Sequence, residues 1–228
     1  GNTANNNSSE NAGFGGAITV IGNVSLSGST ISNNTAGIGG GIYNEVTGTL
    51  AATNSTISGN TANSTYGVGG NGGGIANLGD NNFISNGSLT VTNSTISGNT
   101  ASNFGGGISN SGIATLTNNT IALNQVTSGN GGGVSRSPIF PGSIPIPVTT
   151  NVSNNIIAGN TATTNSDVNG TFNGNNNNLI GNLTGSTGFN IAGTDKSFAT
   201  LGITNINQVL NPTLALNNAP TGSPLTHA

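Results

Sequence analysis

The chain has 228 residues, of which only 3% are charged, and it contains no cysteine. Its net charge of −3 leaves no basic patch, which argues against nucleic acid or an anionic membrane surface as a partner. The lack of cysteine excludes a disulfide framework and a thiolate metal site. Glycine, Asn, Thr and Ser supply the polarity. That composition is typical of disorder, but disorder does not place Ile and Leu at fixed intervals.

The most regular repeat is TNSTISGNTA, which occupies residues 53–62 and again residues 92–101, with looser copies at 29–36, 118–124 and 154–162. The Ile of each copy marks its position. These markers are Ile31, Ile57, Ile96, Ile121, Ile157 and, more weakly, Ile180, and the steps between them are 26, 39, 25, 36 and 23 residues. A base period of 23 to 26 residues with two longer steps indicates one structural unit with insertions in its loops.

A run of glycines before an aliphatic residue forms a second signature, as at residues 72–75 and 105–108. Between the two signatures lies a short segment with alternating apolar residues, such as Leu89 and Val91. Each unit therefore predicts three short strands joined by tight turns. Units of this size cannot close a core alone and must stack. We predict an all-β fold, a right-handed parallel β-helix of about seven coils, which gives a rod of roughly 35 Å at ~4.8 Å per coil.

The alternation assigns side chains to the core, where each buried Ile or Leu contributes roughly 1.5–3 kcal/mol. The residues predicted to point inward are Leu50, Ala52, Ile57, Leu89, Val91, Ile96, Ala114, Leu116 and Ile121.

Asparagine recurs in three columns, which we predict to be structural ladders at the turns. One lies three residues after the marker Ile and comprises Asn34, Asn60, Asn99, Asn124 and Asn160. One lies three residues before it and comprises Asn54, Asn93, Asn118 and Asn154. The third follows the glycine runs and comprises Asn44, Asn77 and Asn110. Asn tolerates left-handed turns, and stacked amides can hydrogen-bond along the axis. A ligand groove lined by Asn is the alternative interpretation.

The domain organisation follows from where the pattern weakens. Residues 1–188 are predicted to form the coils, with loop insertions near 61–73, 78–87 and 137–148. The last insertion is rich in Pro and apolar residues, so it should form an extended arm that packs on the flank or docks a neighbour. Residues 189–228 lack glycine runs and are predicted to form a capping segment and tail, because solenoids need to shield the open core.

These motifs resemble those of the bacterial extracellular β-helix repeat proteins of the choice-of-anchor Q type. The match comprises the GGGI and NSTISGNTA repeats together with a closing section at 167–172, 177–182 and 185–189. The GGAI of residues 15–18 also resembles the repeat of polymorphic outer-membrane proteins. The resemblance implies export and attachment to a cell surface, with no shared catalytic motif. The end of the chain departs from the pattern.

Ionisable side chains are too few for most catalysis. The carboxylates are Glu10, Glu45, Asp80, Asp167 and Asp195. Glycoside hydrolysis needs two positioned carboxylates, and the best pair, Glu45 and Asp80, lies two repeats apart in different registers. A lyase would need a base and a Ca²⁺ cluster, but only Arg136 and Lys196 are cationic, and the sole His is His227. We interpret the charges as solvated loop residues and expect no catalytic residue, metal or cofactor.

Outward positions offer a candidate surface-binding face. Its members are Thr53, Thr90, Thr92, Thr115 and Thr117, with Ser25 and Ser27 in the same columns. A second outward face is predicted from Thr30, Ser32, Thr56, Ser58, Thr95 and Ser97. High β-propensity alone explains Thr in such places. The columns also resemble the Thr-laddered faces of ice-binding solenoids.

The sequence thus favours a non-enzymatic rod at the bacterial cell surface or outside the cell: a stalk, adhesin passenger or fibre subunit. Ice binding is the first alternative, and a polysaccharide-binding or polysaccharide-degrading β-helix is the second. Surface glycans or further copies of the chain are the expected partners. Nothing in the sequence resembles a signal peptide or a membrane span, and residues 1–4 match the middle of a repeat, so we expect export or anchoring signals outside this sequence.

Overall fold

The computed structural model describes residues 2, 13–63, 69–78, 86–136, 148–174 and 176–210. Within them the chain is a parallel β-helix: 24 short strands form four sheets whose neighbouring strands come from successive repeats and run parallel. The longest sheets have seven strands, so the coils number seven. The predicted fold class is confirmed.

Each complete coil contributes one strand to each sheet. Sheet I contains β1 (Ile18–Val20), β5 (Ile42–Asn44), β9 (Ile75–Asn77), β13 (Ile108–Asn110), β17 (Val134–Arg136), β20 (Val168–Thr171) and β23 (Ser186–Thr187). Sheet II contains β2 (Asn23–Ser27), β6 (Thr49–Thr53), β10 (Ser88–Thr92), β14 (Ile113–Thr117), β18 (Thr149–Ser153) and β21 (Asn173–Gly174). Sheet III contains β3 (Thr30–Ser32), β7 (Thr56–Ser58), β11 (Thr95–Ser97), β15 (Thr120–Ala122), β19 (Ile156–Ala158), β22 (Leu179–Ile180) and β24 (Lys196–Ser197). Sheet IV contains β4 (Thr35–Ala36), β8 (Thr61–Ala62), β12 (Thr100–Ala101) and β16 (Gln125–Val126).

The marker isoleucines stack directly on one another. Register pairs join Ile31 to Ile57, Ile57 to Ile96, and so on through Ile180. Ile57, Ile96 and Ile121 are fully buried. The repeat period of the sequence is therefore the coil period of the fold.

The core runs along the axis inside sheets I, II and III, and all the residues predicted to point inward are in it. Its N-terminal members Ile18, Val24, Leu26 and Ile31 are only partly buried, whereas the equivalent residues of the next coil are fully buried. Burial therefore increases from the first coil to the second.

The glycine runs form the corner between sheets IV and I. Gly72 has a φ of +66°, which L side chains rarely adopt, and a Cβ on Gly73 would overlap the carbonyl oxygens of Gly106 and Thr100. The runs therefore allow successive backbones to approach more closely than any side chain would permit.

The described part of the predicted cap contains a short helix, α1 (Phe198–Leu201), and a 3₁₀ turn at Ile206–Gln208. Ser197 begins the helix with a capping box and Gly202 ends it in the left-handed conformation. The interiors of the predicted insertions, at 64–68, 79–85 and 137–147, lie outside the described residues, and so does the tail from 211 onward. No helix among the described residues is long and apolar enough to span a membrane.

Candidate binding face and the ladders behind it

The Asn column after the marker Ile forms the predicted ladder. Asn34 donates through Nδ2 to Oδ1 of Asn60 at 2.9 Å, Asn60 donates to Asn99, and the series continues through Asn124 to Asn160. All five side chains are buried. The amide direction is the same at every rung, with the donor on the N-terminal side.

Each internal rung of this Asn ladder satisfies its whole amide. The second Nδ2 hydrogen of Asn99 goes back to the carbonyl of Ile57, and Oδ1 of Asn99 accepts both the backbone N–H and the Nδ2 of Asn60. Each amide oxygen has two acceptor sites and each nitrogen two hydrogens, so nothing is left unpaired. One side chain thereby bonds its coil to the coil before and the coil after.

The Asn ladder ends on a carboxylate, Asp167. Its Oδ1 accepts the backbone N–H and the Nδ2 of Asn160, both at 2.8 Å, and its Oδ2 accepts the backbone N–H of Asn182 at 2.7 Å. Burial raises the pKa of Asp167 to about 6, against the opposing effect of these hydrogen bonds. A series of donors that all point one way needs a terminal group that only accepts, and an ionised carboxylate is such a group.

A second ladder, which the repeat pattern did not predict, occupies the corner between sheets II and III. Its rungs are Ser55, Ser94, Asn119, Asn155 and Asn178, and it also ends on a carboxylate, Asp195. Oδ1 of Asp195 accepts from Asn178 and Oδ2 accepts the backbone N–H of Asn190. We call this the mixed ladder. In the sequence this ladder is marked by the Ser or Asn that directly follows the Asn at each turn between sheets II and III.

Two predictions are wrong at these positions. The column Asn54, Asn93, Asn118 and Asn154 has the predicted left-handed φ of 49–56°, but its side chains are exposed. Within the described chain the column shows one side-chain contact along the axis, from Asn118 to Asn93, so it forms turns and not a continuous ladder. Likewise Asp167 and Asp195, which we expected to be solvated, are 3% and 0% exposed because they close the two ladders.

The third predicted column forms a short ladder between sheets I and II. Asn44 donates to Oδ1 of Asn77 at 2.6 Å, and Asn77 donates to Asn110 at 2.7 Å. The next residue in register is Arg136, and Asn110 instead donates to the buried hydroxyl of Thr150. This ladder therefore has no carboxylate end among the described residues.

Sheet II presents the outward surface that we call the open face. It consists of three columns in register. They are Asn23, Thr49, Ser88, Ile113 and Thr149; Ser25, Ala51, Thr90, Thr115, Asn151 and Asn173; and Ser27, Thr53, Thr92, Thr117 and Ser153. All five Thr residues predicted for the binding face belong to it, and the open face carries no charged side chain. Thr90, in its middle, is exposed.

Several hydroxyls of the open face have no hydrogen-bond partner within the described chain. Thr117 and Ser153 contact each other at 3.3 Å, and Asn173 donates to Asn151 at 3.0 Å. The hydroxyls of Thr53, Thr90, Thr92 and Thr115 form no comparable bond to described residues. They are available to a ligand.

The other faces of the rod are different. The second outward face predicted on sheet III is wrong for Thr56, Thr95 and Ser97, which are buried. Of its other members, Thr30 in the first coil is exposed, and Ser32 and Ser58 are half-buried. The outward residues Tyr43, Ala76, Ser109 and Ser135 of sheet I are buried as well. Sheets I and III leave outward Ser or Thr residues accessible in some coils only, as at Thr19 and Thr30, whereas none of the outward Ser and Thr residues in the columns of sheet II is buried.

A cleft of about 700 Å³ separates the last coils from the cap and is lined by Asp167, Phe198 and Ile206, among others. The carboxylate is already held by three N–H donors. Of the carboxylates weighed for glycoside hydrolysis, Glu45 is half-buried and Asp80 lies outside the described residues. Among the described residues no three His, Cys, Asp or Glu side chains cluster as a metal site would require.

No protein-family model, no curated protein and no solved structure matches this chain. The functional assignment therefore depends on the geometry of the open face and of the ladders, and the choice-of-anchor Q resemblance remains a hypothesis from the motifs.

Proposed function

We propose that the chain is a non-enzymatic β-helix rod, outside the cell or on the cell surface, whose open face adheres to an uncharged partner. The observation that carries this proposal is the open face itself: six parallel strands in register whose outward hydroxyls and amides are exposed or half-buried, with no charged side chain among them. A flat surface is unsuited to enclosing a small substrate, which usually binds in a concave pocket. It suits contact with an extended partner, where many weak contacts act together.

The remainder of the rod fits a structural role. The rungs that hold the coils together are uncharged amides and hydroxyls, two of the ladders end on a buried carboxylate, and no cysteine takes part. A cysteine-free, hydroxyl-rich surface and the choice-of-anchor Q resemblance both support a place at a bacterial surface. An uncharged face favours partners without charge, such as neutral glycans packed into an extended surface or further copies of the chain.

Retention on immobilised neutral and acidic polysaccharides tests the proposal, with Thr90→Glu as the face variant. The control is Thr100→Glu in the same coil, because Thr100 is also an outward Thr but lies on sheet IV. We expect wild type and the control to be retained on a neutral polymer, the face variant to be lost, and no sugar ends to be released. Release of reducing or unsaturated ends, or equal retention of both variants, would overturn the adhesive assignment.

A further inference from the structure

The open face repeats along two directions at once. Its middle column runs across six strands and its two outer columns across five, with ~4.8 Å between strands and ~6.7 Å between alternate residues of one strand. It therefore covers roughly 24 by 13 Å. A ligand that uses many of these positions together must repeat in two directions itself, which a single flexible polymer chain does not.

The chemistry of the open face narrows the ligand further. Among its described residues there is no aromatic ring for a sugar to stack on and no charge to hold an ion or an acidic polymer. What repeats is a hydroxyl, with one donor and two acceptor sites, beside a methyl group in each Thr. Water has the same kind of hydrogen-bonding group, and a methyl group next to it favours ordered neighbouring water.

The hydroxyls are also free to bond outward. The hydroxyls of Thr53, Thr90, Thr92 and Thr115 form no hydrogen bond to described residues, and the strands beneath them are fixed by the core and the ladders. A rigid array loses little conformational freedom on binding, so weak contacts add up. These positions lie on adjacent strands β6, β10 and β14.

We infer that the open face binds ice, with the hydroxyls and methyl groups of its columns holding water in the crystal lattice. This inference rests on the proposed function and names the uncharged partner of the same surface. Two outward apolar residues, Ala51 and Ile113, interrupt the hydroxyl columns. The inference therefore makes a gain-of-function prediction as well as a loss: restoring a hydroxyl at Ala51 should strengthen binding.

Thermal hysteresis and ice-crystal shape in dilute solutions of the chain test the inference. Wild type should shape crystals and depress their growth temperature. Thr90→Tyr, which places a bulky ring in the middle column, should abolish most of the hysteresis. Thr100→Tyr, the same change on sheet IV of the same coil, should leave it unchanged. Ala51→Thr should increase it, since Thr suits an outward strand position. Circular dichroism melts confirm that each variant folds.

The outcomes separate the two levels of the proposal. Unshaped crystals with wild type, or hysteresis that Thr90→Tyr does not lower, would overturn ice binding. If wild type fails on ice but is retained on a neutral polysaccharide in a Thr90-dependent way, the ligand is wrong and the adhesive rod stands. If the chain binds neither ice nor any polymer through the open face, the proposed function fails as well.

Discussion

The two ladders that end on carboxylates perform the same task with different side chains. In the Asn ladder, Asn99 bonds the coil before through Ile57 and Asn60 and the coil after through Asn124. In the mixed ladder, Ser94 accepts the N–H of Ser55, but its hydroxyl donates to Thr92 of its own coil. An amide side chain links three coils, whereas a hydroxyl links two.

The rungs of the mixed ladder change from hydroxyls to amides along the rod, so both kinds of rung can be compared within one corner. From Asn119 onward its rungs regain the three-coil pattern, with Asn119 donating back to Val91 and forward to Asn155. At these two corners the C-terminal half of the rod is tied by amides at both, and the N-terminal half by amides at only one. The N-terminal half has the short ladder of Asn44, Asn77 and Asn110 at a third corner. Four predictions test this difference, in order of decreasing effect.

Asn99→Ala should have the largest effect, a loss of roughly 3–5 kcal/mol in the free energy of unfolding. The substitution removes four side-chain hydrogen bonds in a fully buried position and leaves buried partners unpaired at ~1–3 kcal/mol each. Urea unfolding followed by circular dichroism measures it. A loss under about 1 kcal/mol would show that the ladder contributes little beyond a typical single hydrogen bond.

Asp167→Asn should cost roughly 1–3 kcal/mol at neutral pH, because one amide cannot accept on both sides. In the wild type, the pKa of Asp167 is raised to about 6 in the folded state by burial. Between about pH 4 and pH 6 the folded chain therefore holds a proton that the unfolded chain has released.

The stability that Asp167 contributes is therefore greatest below about pH 4, falls as the pH rises to about 6, and levels off above. Urea midpoints across this range for wild type, minus those of Asp167→Asn, isolate the carboxylate. A difference that rises with pH would mean that the three N–H donors dominate over burial, contrary to the expected sign.

Ser94→Ala should cost less than Asn99→Ala, about 1–2 kcal/mol, because it removes one inter-coil bond and one bond within the coil. The two residues lie in the same coil and are both buried, so the pair is a matched comparison. Equal losses for the two variants would contradict the distinction between two-coil and three-coil rungs.

Ser94→Asn should have the smallest effect and the opposite sign, a gain of roughly 0.5–1.5 kcal/mol. The new amide would copy the next rung, with Asn119 Oδ1 as the forward acceptor. The same unfolding assay measures it, and Ser94→Leu serves as a control of similar size without donors. A gain with Leu as large as with Asn would assign the effect to packing.

The sequence predicts the fold well because the same repeat recurs along the chain, so the structure inferred for one coil applies to the others. A fixed Ile spacing and alternating strands place Ile57, Ile96 and Ile121 in one column, and the structure confirms it. The glycine runs and the left-handed Asn corners follow from residue chemistry alone, as at Gly72 and Asn93.

The features that the sequence did not predict depend on which side chains pack against each other in space. The repeat pattern of the sequence does not give that information. Ser55 and Ser94 were missed because Ser forms the first two rungs of the mixed ladder and Asn the later ones, so no single residue type marks its column. The burial of Thr56 and of Asp195 depends on contacts with other segments of the chain, which a repeat pattern does not encode. Residue type predicts the open face, but the Thr residues of sheet III have the same pattern in the sequence and are buried at Thr56 and Thr95.

The distance between Ser27 and Ser153 tests the central claim most directly, namely that the coils stack in register and hold the open face flat. The chain has no cysteine, so spin labels can be placed at both positions by Ser→Cys substitution alone. The two residues lie four strands apart in one column. Dipolar spectroscopy should therefore give a narrow distribution of label-to-label distances centred at ~19 Å. A broad distribution would contradict the stacking and with it the binding face. So would a narrow distribution whose centre differs from the expected distance by more than the length of the spin labels.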